Sequence, residues 1–148
     1  QRQLSQWLRL VLLTDATQTP SARELVYLSA CRARFLDLLC KASNACTMPN
    51  ESLFLLGMFS LLDALFGLPM AEVTTHLPLP EPIREALVDG VGAFAPWLNL
   101  AVQYERHDWQ QVIPLLASVR LDFQAADRLF VQAQAWAEGI LRSVVSEA

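Results

Sequence analysis

The sequence predicts an all-α fold, a helical bundle of about seven to eight helices. Hydrophobic residues recur at spacings of three and four along the chain, and no segment shows the alternation typical of a strand. Signals that start and stop helices separate these periodic segments. With 148 residues, of which 53% are hydrophobic and 18% charged, we expect one domain that spans residues 1–148.

Three helices are predicted in the first half of the chain. The second begins at Pro20, where Thr19 is a suitable N-cap, and runs to about Ser43. The third, from Glu51 to Phe66, is apolar on nearly all sides, so we expect it at the centre of the bundle. The first ends near Asp15 and carries an apolar stripe formed by Leu4, Trp7, Leu8, Val11 and Leu12.

Shorter helices are predicted in the second half, before one long final helix. Leu77 to Pro80 should form an extended connector, because each proline disfavours the helical conformation in the residue before it. The final helix begins at the predicted cap Asp122. The shorter predicted helices cover Met70–His76, Pro82–Asp89, Ala93–Arg106 and Trp109–Val119, the last with Pro114 inside it.

Charge and hydropathy exclude two classes of partner. The net charge is −4 with a pI near 5.1, and no run of Lys or Arg provides a footprint for nucleic acid. The longest apolar run, Leu53 to Phe66, contains Asp63 and is shorter than the ~20 residues of a membrane-spanning helix. We therefore expect contact with neither nucleic acid nor membrane.

The cysteines favour a cytoplasmic protein. Cys31, Cys40 and Cys46 are odd in number and form no CxxC motif, so we expect reduced thiols. No zinc site is expected, since His76 and His107 are the only histidines.

The segment from Gly57 to Leu62 carries a resemblance to a known family. In HD-type phosphohydrolases, the helix that supplies the metal-binding His-Asp pair has a similar pattern, and Ser60 and Leu61 stand where His and Asp would be. With Met70 to Val73 and Leu77 to Pro80, the chain resembles the HDOD family, catalytically degenerate relatives of HD hydrolases. It resembles the HDOD modules attached to EAL domains in bacterial cyclic di-GMP signalling, and in particular the C-terminal part of the module, without the family's N-terminal helices.

This resemblance implies a regulatory module and not an enzyme, with no catalytic residue, cofactor or metal. Expected partners are a neighbouring EAL domain, another protein, or a second copy of the chain. The interaction surface that we predict is the stripe formed by Leu4, Trp7, Leu8, Val11 and Leu12. Two alternatives stay open: a metal-dependent HD-type phosphohydrolase, and a helical bundle with a purely structural role.

Other residues with the chemistry of a site have simpler interpretations. His107-Asp108 is a literal HD doublet, but it lies between two predicted helices, where His107 would replace a turn glycine and Asp108 would cap the next helix. Glu85-Ala86-Leu87 spells the EAL signature by chance, because the EAL fold needs a barrel of about 250 residues.

Polar side chains in the apolar helix are interpreted as structural. Asp63 shares a narrow polar stripe with Ser52 and should reach solvent or a loop, while the Ser60 hydroxyl should donate to the carbonyl of Leu56. Two larger groups have similar interpretations. A solvated face is predicted for Arg23, Arg32, Arg34 and Lys41, and core or interface packing for Trp7, Trp97, Trp109 and Trp136.

Overall fold

The computed structural model describes residues 19–146, and over that range it confirms the all-α fold. Eight helices and no strand are present there. None of these helices is long and apolar enough to cross a membrane. In chain order they are α1 (Pro20–Ala42), α2 (Asn50–Phe59), α3 (Leu62–Phe66), α4 (Met70–Thr75), α5 (Glu81–Val88), α6 (Ala95–Glu105), α7 (Trp109–Ser118) and α8 (Phe123–Ser146).

Helix α1 makes the most extensive contacts with other helices in the described part of the chain. Its predicted start is confirmed, because the Thr19 hydroxyl accepts a hydrogen bond from the Ala22 N–H at 3.1 Å and Pro20 occupies the first turn. α1 contacts α2 and α8 most extensively, and it also contacts α6. Phe35, Leu36 and Leu39 on its inner face are completely buried.

The predicted helix from Glu51 to Phe66 is wrong as a single element, because the chain leaves the helix at Ser60 and Leu61. The Ser60 hydroxyl donates to the Gly57 carbonyl at 2.7 Å, and the Ser60 N–H reaches the same oxygen at 3.3 Å. This tight turn ends α2, and Leu61 then adopts φ −116° and ψ 11° before α3 begins. The bond expected to Leu56 is formed to Gly57 instead.

The hydrophobic core contains the inner face of α2, as the sequence predicted. Leu53 and Leu56 are completely buried there. They belong to a main cluster that also includes Trp97 and Tyr104 of α6. Met58, Phe59 and Leu62 belong to a second cluster with residues of α1 and α4.

The second half of the chain follows the predicted order of helices. The Asp122 carboxylate accepts from the Ala125 N–H at 2.7 Å, which confirms the cap of α8. Pro114 lies inside α7. His107 and Arg120 both have φ 57°, so non-glycine residues in the left-handed region mark the two turns that flank α7.

The prediction of three reduced thiols is wrong, because Cys40 and Cys46 form a disulfide. Cys40 lies in the last turn of α1, and the chain turns back at Ser43, so the two Cα atoms come to 5.3 Å, within the range that a disulfide bridges. Only the buried Cys31 is a free thiol. Sequence spacing alone did not reveal this turn.

Gly57 allows α1 and α2 to approach closely. A Cβ atom at this position would lie 2.5 Å from the Ala33 nitrogen and 2.6 Å from the Ala33 Cα. The neighbouring atoms belong to the backbone of a helix and cannot rotate away. The glycine of the family-like segment therefore sets the distance between the two helices.

We expect Gly57→Ala to lower the free energy of unfolding by about 1–3 kcal/mol or more, because the added methyl group overpacks this contact. Gly139→Ala is the matched control: Gly139 lies inside α8, and a Cβ there meets nothing within 4 Å. Alanine should be neutral there or stabilising by up to about 1 kcal/mol. Urea unfolding measures both, and equal effects of the two substitutions would contradict the close contact.

Candidate functional site

The site predicted to be degenerate, Ser60-Leu61, contains a polar cluster formed by Arg32, Ser60 and Glu105. The Arg32 Nε and Nη2 atoms donate to the two Glu105 carboxylate oxygens at 2.7 and 2.8 Å. Arg32 Nη1 donates to the Ser60 hydroxyl at 3.1 Å. The polar cluster thus joins α1, the α2–α3 turn and the end of α6.

The polar cluster is mostly shielded from water. The side chains of Arg32 and Glu105 are 12% and 16% exposed. Their pairing is bidentate, the geometry in which a guanidinium and a carboxylate bind each other best. Because Ser60 donates to the Gly57 carbonyl and accepts from Arg32, its hydroxyl hydrogen is already engaged. The arrangement can lock three elements together, but it presents no activated nucleophile.

Arg32 is the site residue that sequence reasoning placed wrongly. A solvated face was predicted for it, whereas the structure pairs it with Glu105, 73 positions away. The prediction of a solvated face fits Arg34 better than Arg32. Arg34 and Lys41 both contact the Asp37 carboxylate, and the Arg34 guanidinium also lies 5.6 Å from the centre of the Trp136 ring. No local pattern in the sequence signalled the long-range pair.

The two histidines lie in exposed turns. His76 directly follows α4, and His107 lies between α6 and α7. The positive φ of His107 confirms that it occupies a position suited to glycine. Asp108 precedes α7 as predicted, but its side chain makes no capping bond. Between residues 19 and 146, no three His, Cys, Asp or Glu side chains are grouped so that they could hold a metal ion.

Asp63, in the first turn of α3, is a half-buried residue whose carboxylate makes an exposed hydrogen bond. It accepts a hydrogen bond from the N–H of the next residue, Ala64, at 2.8 Å. This local bond agrees with the structural interpretation of Asp63. Glu85 lies in α5, so the EAL tripeptide is helical, as expected from its interpretation as a chance match.

Cys31 and Tyr27 are titratable residues that lie one turn apart on α1. The sequence did not single out this pair. Burial raises the pKa of the Cys31 thiol to about 11 and that of Tyr27 to about 12. The thiol packs near Trp136 and Ala137 of α8. At neutral pH Cys31 is therefore protonated and a poor nucleophile.

An aromatic surface, defined as Trp109, Ile113 and Phe123, is exposed where α7 meets α8. These side chains are 39%, 53% and 39% exposed. The rings of Trp109 and Phe123 are in edge contact at 5.2 Å. Trp109 is therefore not packed in the core, and interface packing stays a prediction for it.

Tyr104 supports the aromatic surface from below. Its ring contacts Trp109 at 5.3 Å and Phe123 at 6.2 Å, and its hydroxyl donates to the Asp127 carboxylate at 2.5 Å. Burial, together with this bond to Asp127, raises the pKa of Tyr104 above its usual range. The aromatic surface therefore packs on the buried ring of Tyr104, whose hydroxyl is fixed by its hydrogen bond to Asp127.

The interaction surface predicted from the sequence lies outside the described residues. It comprises Leu4, Trp7, Leu8, Val11 and Leu12. It stays a prediction.

Comparison with known proteins shows two relatives. The chain is 31% identical over 122 residues to the Vibrio cholerae protein named Cyclic di-GMP phosphodiesterase CdgJ, a match that covers 82% of this chain. It is 25% identical over 141 residues to the Uncharacterized protein YuxH of Bacillus subtilis, covering 94% of this chain. The matches span 28% and 34% of those proteins. The chain thus corresponds to about a third or less of each relative.

No known family profile matches the sequence, and no solved structure matches it. The assignment to the HDOD family therefore stays a prediction. The prediction that the chain is not an enzyme is contradicted, because CdgJ, a relative that aligns with most of this chain, is named as a phosphodiesterase. That prediction rested on Ser60 and Leu61 in place of a His-Asp pair, an argument that concerns one segment of the chain.

We expect Arg32→Ala to lower the free energy of unfolding by about 2–4 kcal/mol, because it leaves the Glu105 carboxylate mostly buried without its partner. Arg84→Ala is the control, since the Arg84–Glu81 pair is exposed and should contribute less than about 1 kcal/mol. Replacing Arg32 and Glu105 together by Met and Leu should restore most of the loss. Urea unfolding would contradict the prediction if Arg32→Ala were as mild as the control.

Proposed function

We propose that the chain is an HDOD-type helical module of a cyclic di-GMP phosphodiesterase, and that it acts in that enzyme through contact with the other parts of the protein. The observation that carries the proposal is the match of 82% of this chain to 28% of CdgJ. A chain that aligns with one part of a larger enzyme is expected to contact the other domains of that enzyme.

The polar cluster supports a role in which the helices form a rigid unit. Arg32 is bound by Glu105 and Ser60 through three nitrogen atoms, which form a structural lock at the turn that the resemblance compares with a metal-binding pair. Such a lock holds α1, α2 and α6 in fixed relative positions. When a partner binds one face of a rigid unit, the resulting displacement can be passed on to a neighbouring domain.

The aromatic surface supports a specific place for that contact. Exposed aromatic residues are enriched where proteins bind each other, because a large ring buries much apolar area with little loss of conformational freedom. Trp109 and Phe123 are positioned by Tyr104, so they are pre-organised for binding. We propose that the aromatic surface docks on another part of the phosphodiesterase, with the N-terminal stripe of Leu4, Trp7, Leu8, Val11 and Leu12 as a second contact.

The test uses the full-length protein and a cyclic di-GMP hydrolysis assay. Ile113→Glu places a charge in the aromatic surface at a side chain that is 53% exposed, so the fold should remain intact. We expect the hydrolysis rate to fall by about fivefold to tenfold, the effect of losing a central interface contact. Circular dichroism would verify that the helices remain.

Val91→Glu provides the matched control. Val91 is 52% exposed and lies between α5 and α6, outside the aromatic surface. This variant should hydrolyse cyclic di-GMP at the unmodified rate. Equal rates for Ile113→Glu and the unmodified protein would refute docking through the aromatic surface, and a full-length protein without activity on cyclic di-GMP would refute the proposal as a whole.

A further inference from the structure

The disulfide between Cys40 and Cys46 lies in the connection between α1 and α2, at the edge of the main core. Cys40 is 5% exposed, whereas Cys46 is half-buried and packs against the core from the loop. Met48 of the same loop also packs there. The disulfide therefore fixes a loop that covers part of the core.

Ser43 lies in the middle of the ring that the disulfide closes, and it bonds in two directions. Its hydroxyl accepts from the Ala45 N–H at 3.1 Å within the loop. It donates to the Val119 carbonyl at 2.5 Å, at the end of α7. Ser43 and Val119 are 6% and 8% exposed, so water does not readily replace this bond.

The turn reached by Ser43 leads directly to the start of α8. Arg120 follows Val119 in the left-handed conformation, and the Leu121 N–H donates to the Leu116 carbonyl at 3.0 Å. Phe123, the first residue of α8, belongs to the aromatic surface. A contiguous path thus runs from the disulfide through Ser43 and Val119 to the α7–α8 turn.

We propose that the Cys40–Cys46 pair is a thiol–disulfide switch that controls how firmly the α1–α2 loop holds the α7–α8 turn. In the oxidised state the ring of residues 40–46 restrains Ser43 beside Val119. In the reduced state the loop is held by its hydrogen bonds and by the packing of Cys46 and Met48 without the covalent link, so the bond to Val119 opens more often. The proposal does not rest on the proposed function, because it concerns the structure of the chain alone.

The switching reaction is exchange with a cellular dithiol. A thiolate of the dithiol attacks the more accessible Cys46 sulfur, the S–S bond breaks, and its electron pair leaves on the Cys40 sulfur, which takes up a proton. The second thiol of the dithiol then attacks the mixed disulfide and releases the Cys46 thiol. The protein gains two thiols, and the dithiol is oxidised to its own disulfide. The free thiol Cys31 takes no part, because its raised pKa keeps it protonated.

Hydrogen exchange measured by mass spectrometry tests the coupling in the oxidised chain and in the chain reduced with dithiothreitol. We expect reduction to speed amide exchange roughly tenfold or more in two sets of peptides, those from residues 43–49 and those from residues 116–122. Peptides from α4 and α5 should be unaffected. Cys40→Ser with Cys46→Ser should resemble the reduced state without any reductant, and Cys31→Ser should respond to reduction as the unmodified chain does.

Ser43→Ala isolates the coupling step. In this variant reduction should still speed exchange in residues 43–49, but exchange in 116–122 should no longer depend on redox state. The proposal is overturned if alkylation followed by intact mass finds three free thiols in the chain kept under glutathione disulfide. It is also overturned if reduction changes residues 43–49 and leaves 116–122 unaltered in the unmodified chain.

Discussion

The close contact between α1 and α2 at Gly57 is the constraint on which the rest of the structure depends. With no Cβ between them, the backbone of α2 lies directly against Ala33, next in sequence to Arg32. This approach brings Ser60, three residues after Gly57, within hydrogen-bond distance of the Arg32 guanidinium. The packing of two helices thus places a polar group at the only break in the long apolar segment.

The polar cluster shows how a partly buried charge pair can define an arrangement of helices. A bidentate pair between Arg32 and Glu105 is directional, whereas apolar packing tolerates small rotations and shifts. Glu105 is the last residue of α6, and the turn that follows contains His107 and leads to α7. Fixing the end of α6 therefore also fixes the direction of the chain toward the aromatic surface.

Two features of residues 19–146 that lie outside this lock carry the proposals. One is the aromatic surface, which Tyr104 supports through ring contacts and through its bond to Asp127. The other is the disulfide at Cys40 and Cys46, which lies near the C-terminal end of α7, where Ser43 bonds Val119. Helix α7 connects these two features. The proposed docking uses side chains on the surface of α7, and the proposed thiol–disulfide switch acts on the turn that follows it.

The sequence by itself determined the helical class, the order of the helices from Pro20 onward, and the caps at Thr19 and Asp122. These features depend on local periodicity and on side chains that bond the backbone within three residues. The burial of the α2 core also followed from its composition. Only the tertiary structure decided the break at Ser60-Leu61, the pairing of Arg32 with Glu105 and the joining of Cys40 with Cys46. Each of these depends on how the chain turns and packs in space, and local propensity carries no information on such distances.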